Sequence, residues 1–197
     1  MTSWEKYAGS AEGWSEEQYA NTCAYLTHRA ELIRSLGPPL ERGDTVLDLA
    51  CGDGGLADFL TGLRYVGVDA SEAMVAAGSA RGRTVIHADL NDYEPPEPVQ
   101  ATTIFRAVYY ARDRRALFTR IRSYTERKLV FDLNPRQYRL EDVRADLHAA
   151  GFTHLDTRPF FVPQTHAVPL LTLLERSGPL ARLLLRYRFT LLCAASS

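Results

Sequence analysis

Lysine is nearly absent from this chain, and neither sign of charge is in excess. Only Lys6 and Lys128 are lysines, so arginine supplies most of the 23 basic residues that face 24 acidic ones. The resulting net charge of −1 provides no long-range attraction for nucleic acid or for an anionic membrane. We therefore expect no nucleic-acid partner and no stable membrane association.

Cysteine and long apolar runs are also scarce. Cys23, Cys51 and Cys193 are an odd number without metal-ligand spacing, which predicts reduced thiols, no metal site and a reducing compartment. The first residues lack the basic-then-apolar order of a secretory signal, and charged residues interrupt every apolar run near the C-terminus. We expect a cytoplasmic, soluble chain whose 197 residues fold around one core.

Strand-like and helix-like segments alternate along the sequence. The first helix is predicted from a capping-box pair, Ser15 and Gln18, to the stop at Gly37. Its predicted apolar face consists of Tyr19, Cys23, Leu26, Ala30 and Ile33. Seven later segments are typical of strands: 45–50, 64–70, 84–90, 101–108, 128–134, 152–160 and 185–195. Helical segments at 55–63, 71–80, 112–124 and 140–151 separate most of them. The alternation predicts an α/β, doubly wound domain with a mostly parallel sheet that is covered on both faces.

A glycine-rich loop follows the first predicted strand, in the stretch VLDLACGDGGLADFL at residues 46–60. Gly52, Gly54 and Ala57 satisfy the G-x-G-x-x-[GA] pattern of dinucleotide sites. The pattern alone is weak, because a dinucleotide is one of several ligands that bind at a strand end beside a tight turn. It predicts a ligand site at the carboxyl end of this strand.

Two acids accompany the glycine loop, Asp48 and Asp53. Beside a diphosphate in a cleft of low dielectric, such like charges are costly, which disfavours a nicotinamide dinucleotide. An ammonium and a sulfonium are favoured by the same acids. S-adenosylmethionine carries both groups together with free ribose hydroxyls and no phosphate, so we expect it as the cofactor.

Two further acids, Asp69 and Asp89, end the second and third predicted strands. Asp69 lies about 20 residues beyond Asp48, at the distance where an acid binds ribose hydroxyls in nucleoside-binding folds. Asp89 is placed to accept a hydrogen bond from an exocyclic amine. Each acid taken alone has an alternative interpretation as a helix cap. Three acids at three consecutive strand ends favour a binding site.

The stretches VLDLACGDGG, YVGVDAS and VIHADL resemble, in order and spacing, the first three motifs of class I S-adenosylmethionine-dependent methyltransferases. The resemblance extends over roughly residues 15–160. It implies a Rossmann-like sheet of seven strands with the last strand antiparallel. It also implies S-adenosyl-L-methionine as the methyl donor and S-adenosyl-L-homocysteine as the product.

By this resemblance, one group of residues meets the amino-acid end of the cofactor. Asp48 orients the amino-acid moiety, partly through water, and the backbone around Ala50 and Gly52 lies against it. Arg106, just beyond the fourth strand, falls where family members touch the methionine end. Ala50 departs from the pattern, because the family usually has glycine at this position.

A second group is implied at the nucleoside end. Asp69 would hold the ribose hydroxyls, and Ala70, which follows it, belongs to the same cofactor-binding set. Asp89 and the backbone of Leu90 would meet the adenine.

Two residues are predicted to act on the methyl acceptor. Of the pair Tyr109 and Tyr110, we expect Tyr110 to reach the site as a hydrogen-bonding or aromatic side chain, with core packing as the alternative. Asp132 ends the fifth strand, where it would orient or deprotonate an acceptor; its alternative is a turn acid before Pro135. Transfer from a sulfonium needs alignment above all, and a base only where the acceptor must lose a proton.

The chain is predicted to be one methyltransferase domain with four parts. Residues 1–40 form an N-terminal helical lid, 41–160 the cofactor-binding core, 161–184 an insert that caps the acceptor, and 185–195 the final strand. Arg29 in the lid either pairs with the cofactor carboxylate or is an exposed arginine. The insert lines a pocket for an apolar small molecule, with a membrane-borne or lipid-linked acceptor as the alternative.

The expected function is methyl transfer to an N or O atom of a small, partly apolar metabolite, and the resemblance leans towards bacterial specialised metabolism. Three alternatives stay open: an NAD-dependent oxidoreductase, a nucleic-acid or protein methyltransferase, and a cofactor-binding regulator without activity. The second lacks support, because RAVYY stands where base-methylating enzymes have an Asn/Asp-Pro-Pro-aromatic turn. The acceptor and the oligomeric state stay open.

Overall fold

The computed structural model describes residues 21–161, 168–185 and 190–197. The strands are β1 (Thr45–Leu49), β2 (Arg64–Asp69), β3 (Val85–His87), β4 (Val99–Ile104), β5 (Thr125–Leu133), β6 (His154–Phe160) and β7 (Thr190–Ser196). The α-helices are α1 (Thr22–Ser35), α2 (Glu72–Ala80), α3 (Arg114–Tyr124), α4 (Leu140–Ala149), α5 (Val168–Glu175) and α6 (Pro179–Leu184). Two short 3-10 helices span Gly55–Phe59 and Val108–Tyr110.

All seven strands belong to one sheet in the order β3-β2-β1-β4-β5-β7-β6. Neighbours from β3 to β5 are parallel, whereas β7 runs antiparallel to both β5 and β6. The predicted doubly wound α/β fold with an antiparallel last strand is confirmed. Because the chain leaves β1 towards β2 and β3 and then returns to β4, the strand order reverses beside β1. Ligands of such sheets bind at the carboxyl ends of the strands at this point.

The sheet separates two apolar cores. Neighbouring residues of a strand point to opposite faces, so Val46 packs with the α1 side while Leu47 packs with the α3 and α4 side. Tyr25, Leu26 and Ile33 bring α1 to the first core. The helices α5 and α6 join the same core through Leu171 and Ala181.

Helix α1 begins later than its predicted capping box. The side chain of Asn21 accepts a hydrogen bond from the Ala24 N–H at 3.0 Å and so caps the helix; Ser15, Gln18 and Tyr19 lie outside the described residues. Cys23 is exposed, so its predicted place on the apolar face is wrong.

The other differences concern short elements. The segment 55–63 forms a single 3-10 turn, and β3 has only three residues at the edge of the sheet. His87, which falls inside the longer strand predicted at 84–90, is exposed for that reason. Within the described ranges, no helix combines the length and the apolar character needed to cross a bilayer.

Candidate functional site

The glycine loop turns sharply at the carboxyl end of β1. Ala50, Gly52 and Gly54 all have left-handed backbones, with φ of 56°, 62° and 71°. The Cys51 N–H donates to the Val68 carbonyl at 3.1 Å, and the Gly52 N–H donates to Asp69 Oδ2 at 2.8 Å. The loop is thus folded back onto the end of β2. Ala50, where the resemblance expects glycine, adopts a conformation that costs an L-residue roughly 1–2 kcal/mol.

Asp48 is buried beneath this loop and fully engaged by the protein. Its Oδ1 accepts a hydrogen bond from Thr103 Oγ1 at 2.6 Å, and its Oδ2 accepts one from the Tyr65 hydroxyl at 3.0 Å. Nη2 of Arg29 lies 3.6 Å from Oδ1. Burial raises the pKa of Asp48, and Arg29 and the two hydroxyls oppose that shift. Asp48 is a fixed, internal acid at the end of β1.

Strand register explains why these partners meet. Asp48 stands opposite Thr103 of β4 on one side and Gly67 of β2 on the other. A Cβ at Gly67 would lie 2.6 Å from Cys51 Sγ and 3.0 Å from the Tyr65 hydroxyl. The missing side chain at Gly67 therefore lets Tyr65 extend along β2 and reach Asp48.

Arg29 of α1 carries a positive charge to the carboxyl ends of the central strands. Its residue surface is only 7% exposed, and its guanidinium carbon lies 3.4 Å from the centroid of the Phe105 ring. It pairs with Asp48, and its charge opposes the rise in the pKa of Asp132 that burial causes. The alternative of an exposed arginine is wrong. The sequence contained the signal, because Arg29 falls on the helical face that Leu26 and Ile33 define.

Asp69 links the glycine loop to the start of α2. Its Oδ2 accepts from the Gly52 N–H and its Oδ1 accepts from the Ser71 N–H at 2.9 Å. Ser71 is the N-cap of α2, so Asp69 makes a turn before the helix and is not the cap itself. Burial raises the pKa of Asp69, against the effect of the two N–H donors. The carbonyl of Ala70 is 3.1 Å from His87 Nε2.

Asp53 does not belong to the acids that face the site. It is fully buried, with Oδ2 at 3.1 Å from Nη1 of Arg83 and 3.7 Å from Nη1 of Arg81. The helix α2 packs closely on its backbone at Gly78, where a Cβ would be 2.7 Å from the Asp53 carbonyl oxygen. The prediction that Asp53 repels a diphosphate is wrong, because arginine neutralises its charge.

The end of β3 is tied to the loop that follows β4. Asp89 Oδ1 accepts from the backbone and side-chain nitrogens of Asn91 at 2.7 and 2.8 Å, while Oδ2 lies 3.2 Å from Arg112. Asn91 Nδ2 also donates to the Tyr110 carbonyl at 3.1 Å. Leu90 is buried, and its carbonyl accepts from Arg120. This network places Asp89 and Leu90 beside Tyr110.

The ends of β4 and β5 meet through Arg106 and Asp132. Arg106 has an exposed side chain and a left-handed backbone, with φ of 53°. Its N–H donates to Asp132 Oδ1 at 2.6 Å. Burial raises the pKa of Asp132, and this hydrogen bond and the charges of Arg29 and Arg106 oppose the shift. Asp132 therefore joins two strand ends and faces Arg29.

The two neighbouring tyrosines differ in exposure. Tyr109 is 51% exposed, and Tyr110 is partly buried against the core on the α3 side. Their ring centroids are 4.3 Å apart. Tyr109 offers the more accessible ring, and the assignment of Tyr110 to the site stays a prediction.

Comparisons with known proteins agree with this geometry. Residues 46–128 match the family described as "Methyltransferase domain". A trans-aconitate 2-methyltransferase from Mycobacterium tuberculosis is 30% identical in an alignment of 115 residues. The alignment covers 54% of this chain and 42% of that enzyme. The same values hold for its Mycobacterium bovis counterpart. The chain thus spans less than half the length of these relatives.

Solved structures resemble the chain more completely. A putative methyltransferase of Haloferax volcanii, solved with the Trm112 activator, has a TM-score of 0.66 at 20% identity and covers 100% of this chain and 98% of its own. Phosphoethanolamine N-methyltransferase 2 of Haemonchus contortus, solved with S-adenosyl-L-methionine, has 0.67 at 18%, covering 100% and 60%. A methyltransferase of Clostridium acetobutylicum has 0.63 at 12%, covering 99% of both chains.

The sheet order, the three strand-end motifs and the matched segment define a class I methyltransferase fold. The chain thus has the fold of these methyltransferases and contains a segment that matches their domain family, in agreement with the resemblance. S-adenosylmethionine is the cofactor of this class, and several of the similar structures contain it or its product.

Proposed function

We propose that this chain transfers a methyl group from S-adenosylmethionine to an N or O atom of a small, partly apolar metabolite. The observation that carries the proposal is the pair of opposite charges around the glycine loop. Arg29 supplies a cation on one side, and Asp69 supplies a carboxylate on the other. The cofactor has a carboxylate at its methionine end and ribose hydroxyls at its nucleoside end, so its two ends match this pair.

The residues present fit the cofactor. Each carboxylate oxygen of Asp69 accepts one backbone N–H and keeps a further lone pair for a ribose hydroxyl. Arg29 already lies against Asp48 and Phe105, which hold its guanidinium in one place at low entropic cost. Asp48 is buried and hydrogen bonded through both oxygens, so it would act on the cofactor through Arg29 and the loop backbone.

The bound cofactor would supply an electrophilic methyl group on a positive sulfur. The chain would orient it and shield it from water, since the leaving thioether is neutral and needs no acid. Burial raises the pKa of Asp132 and so makes it a stronger base than a surface aspartate. We assign Asp132 the acceptance of a proton from the acceptor where one must leave, and Tyr110 a contact with the acceptor.

The names of similar proteins support a small acceptor. The curated relatives act, by name, on trans-aconitate, and one similar structure is a phosphoethanolamine N-methyltransferase. These acceptors differ in the methylated atom, so the likeness supports the size class and leaves N and O open. The insert at 161–184 would form part of the acceptor side, and residues 1–40 the lid.

Two measurements test the proposal. Labelled S-adenosylmethionine, mixed with the protein and a metabolite extract, should yield a labelled small molecule. Asp69→Ala should weaken the binding of S-adenosylhomocysteine by about 1–3 kcal/mol, the usual scale for hydrogen bonds to a charged group. Asp92→Ala is the matched control, because Asp92 is an exposed acid whose ion pair is with Arg112.

Calorimetry separates the outcomes. Equal dissociation constants for the Asp69→Ala variant and the natural chain would refute the ribose role of Asp69. Tight uptake of NADH without any binding of S-adenosylhomocysteine would refute the proposed activity in favour of an oxidoreductase.

A further inference from the structure

The hairpin of α5 and α6 exposes a leucine face to solvent. Leu170 and Leu173 of α5 and Leu180 and Leu183 of α6 are between 46% and 66% exposed. The inner side of the same hairpin is buried, with Leu171 and Ala181 in the core that α1 covers. Exposed leucines occur singly on most surfaces, but four on two adjacent short helices mark an interaction surface.

A buried acid fixes which side of the hairpin faces outwards. Glu175, at the end of α5, is buried, and its Oε2 lies 2.7 Å from Nε2 of His28 in α1. Its Oε1 accepts a hydrogen bond from the Phe161 N–H at 2.8 Å. His28 in turn stacks on Phe160, with ring centroids 5.5 Å apart. Turning the leucines inwards would strip the buried carboxylate of both partners, which is strongly unfavourable.

The exposed charged residues of the hairpin are all arginines. From Val162 to Thr190 the sequence contains a single acid, the buried Glu175, against four arginines. Two of these arginines, Arg176 and Arg182, belong to the described hairpin and are exposed. The outer face therefore combines leucine with arginine and carries no exposed carboxylate in the described hairpin.

We propose that the outer face of the α5–α6 hairpin docks reversibly on an anionic lipid surface. The leucines would enter the boundary between headgroups and acyl chains, and Arg176 and Arg182 would meet the anionic headgroups. The two helices are too short to span a bilayer, so they would lie in its plane. The net charge of −1 does not oppose this contact, because headgroup attraction acts within a Debye length.

A second copy of the chain fits this face less well. A two-fold interface would place the same patch on both subunits. Arg176 and Arg182 would then approach the arginines of the other copy with no exposed acid from either hairpin to pair them. An anionic lipid surface supplies the missing negative charge. The docking is independent of methyl transfer and holds for the chain with or without cofactor.

Vesicle flotation with the full chain tests the proposal. Vesicles of phosphatidylcholine mixed with phosphatidylglycerol should bind the protein about thirtyfold more tightly than vesicles of phosphatidylcholine alone, the scale expected for two arginines near the surface. Added salt should reduce that difference. Equal binding to both vesicles, or binding to neither, would overturn the proposal.

Double variants test whether the hairpin is the surface that binds the vesicles. The double variant Leu173→Ser with Leu183→Ser should reduce binding to the anionic vesicles at least about tenfold. The double variant Arg176→Gln with Arg182→Gln should reduce it about thirtyfold. The matched control is Ile86→Ser with Arg115→Gln, which removes an exposed apolar and an exposed basic side chain elsewhere. Its binding should equal that of the natural chain.

Thermal melting of each variant verifies that it is folded. Binding that stays unchanged in the two hairpin variants would overturn the proposal. A concentration-dependent dimer that the leucine variant dissociates, without vesicle binding, would assign the face to a second copy instead.

Discussion

At the scale of single residues, Ala50 is the position where this chain departs from the usual loop of class I methyltransferases. Its left-handed backbone, with φ of 56°, is the conformation for which glycine has no steric cost. Alanine accepts the strain because the next two residues anchor the loop to the end of β2, by the Cys51 N–H on Val68 and the Gly52 N–H on Asp69. We therefore expect the departure to affect stability above all.

Ala50→Gly should stabilise the chain by about 1 kcal/mol, because relief of the left-handed strain outweighs the greater entropy of glycine in the unfolded chain. Urea unfolding measures the difference. Ala76→Gly is the control of opposite sign, since Ala76 is an exposed residue inside α2 and its replacement should cost about 1 kcal/mol. Destabilisation by both variants would contradict the strain at Ala50.

Two neighbouring threonines of β4 allow a hydrogen bond of the site to be compared with a hydrogen bond elsewhere in the sheet. Thr103 donates to the carboxylate of Asp48, whereas Thr102 shares a hydrogen bond of 2.6 Å with the hydroxyl of Thr125. Both threonines are fully buried, so the corresponding valine variants change shape equally little.

Thr103→Val should weaken S-adenosylhomocysteine binding and destabilise the chain by about 1.5–3 kcal/mol, since it removes a hydrogen bond to a charged group. Thr102→Val should cost less stability and leave the dissociation constant unchanged. Calorimetry and urea unfolding on both variants provide the comparison. Equal loss of affinity in both variants would show that Asp48 has no part in the cofactor site.

At the scale of the elements, the sequence predicts most strands and helices because their periodicity is local. The bounds of α2 and α4 agree closely with expectation, and β5 extends the predicted segment by three residues at its start. The burial of a single polar residue was harder to predict. His87 is exposed because β3 is an edge strand, and the sequence does not show which strand forms the edge.

The same limit applies to the charged residues of the site. Asp69 and Asp89 follow strands directly, so their position at the carboxyl edge could be predicted from the chain alone. Asp53 could not be placed in this way, because its partner Arg83 is distant in the sequence. For Arg29 the helical face predicts burial, but it does not predict Asp48 as the partner. Which acid faces a ligand and which is neutralised by arginine depends on tertiary packing.

The carboxyl end of α1 depends on a buried lysine of β5. Lys128 Nζ donates to the carbonyls of Leu36 at 2.8 Å and Arg34 at 3.3 Å, which are among the last of the helix. Burial lowers the pKa of Lys128 to about 8 from 10.5. The lysine thus caps a helix end while it carries a charge that its surroundings disfavour.

Stability should rise with pH between about 8 and 10.5 through Lys128. In this window the unfolded chain keeps the lysine proton and the folded chain loses it, so the unfolded state binds more protons and a higher pH favours folding. Below the window both states are protonated and the contribution is constant. Urea unfolding of the natural chain and of Lys128→Met across the window isolates the effect. A difference between the two that does not change with pH would contradict it.

At the scale of the whole molecule, the proposed cofactor site is assembled from most of the sheet. The matched family segment, 46–128, contains the glycine loop with Asp69 and Asp89. Arg29 comes from before this segment and Asp132 from after it, and the structure brings both to the same strand ends. The flanking elements therefore add charged groups to those that the family segment contains. Binding of the cofactor should raise the melting temperature of the whole chain.

Thermal melting with ligands that differ at one end tests whether these elements form one cofactor site. S-adenosylhomocysteine at about 100 times its dissociation constant adds about 2.7 kcal/mol, which for a chain of this size raises the melting temperature by about 5–10 °C. NADH should produce no such shift. In Arg29→Gln, the shift caused by S-adenosylhomocysteine should shrink, because its carboxylate loses a partner.

Adenosine is the matched control for that variant, since it keeps the ribose and the adenine but has no carboxylate. The shift that adenosine produces should be the same in Arg29→Gln and in the natural chain. Comparing shifts removes the separate loss of stability expected when the buried Asp48 and Asp132 lose a cation. If the melting-temperature shifts of both ligands shrink equally, Arg29 stabilises the fold and does not bind the cofactor carboxylate. If neither loses any, the opposite charges around the glycine loop do not select the cofactor.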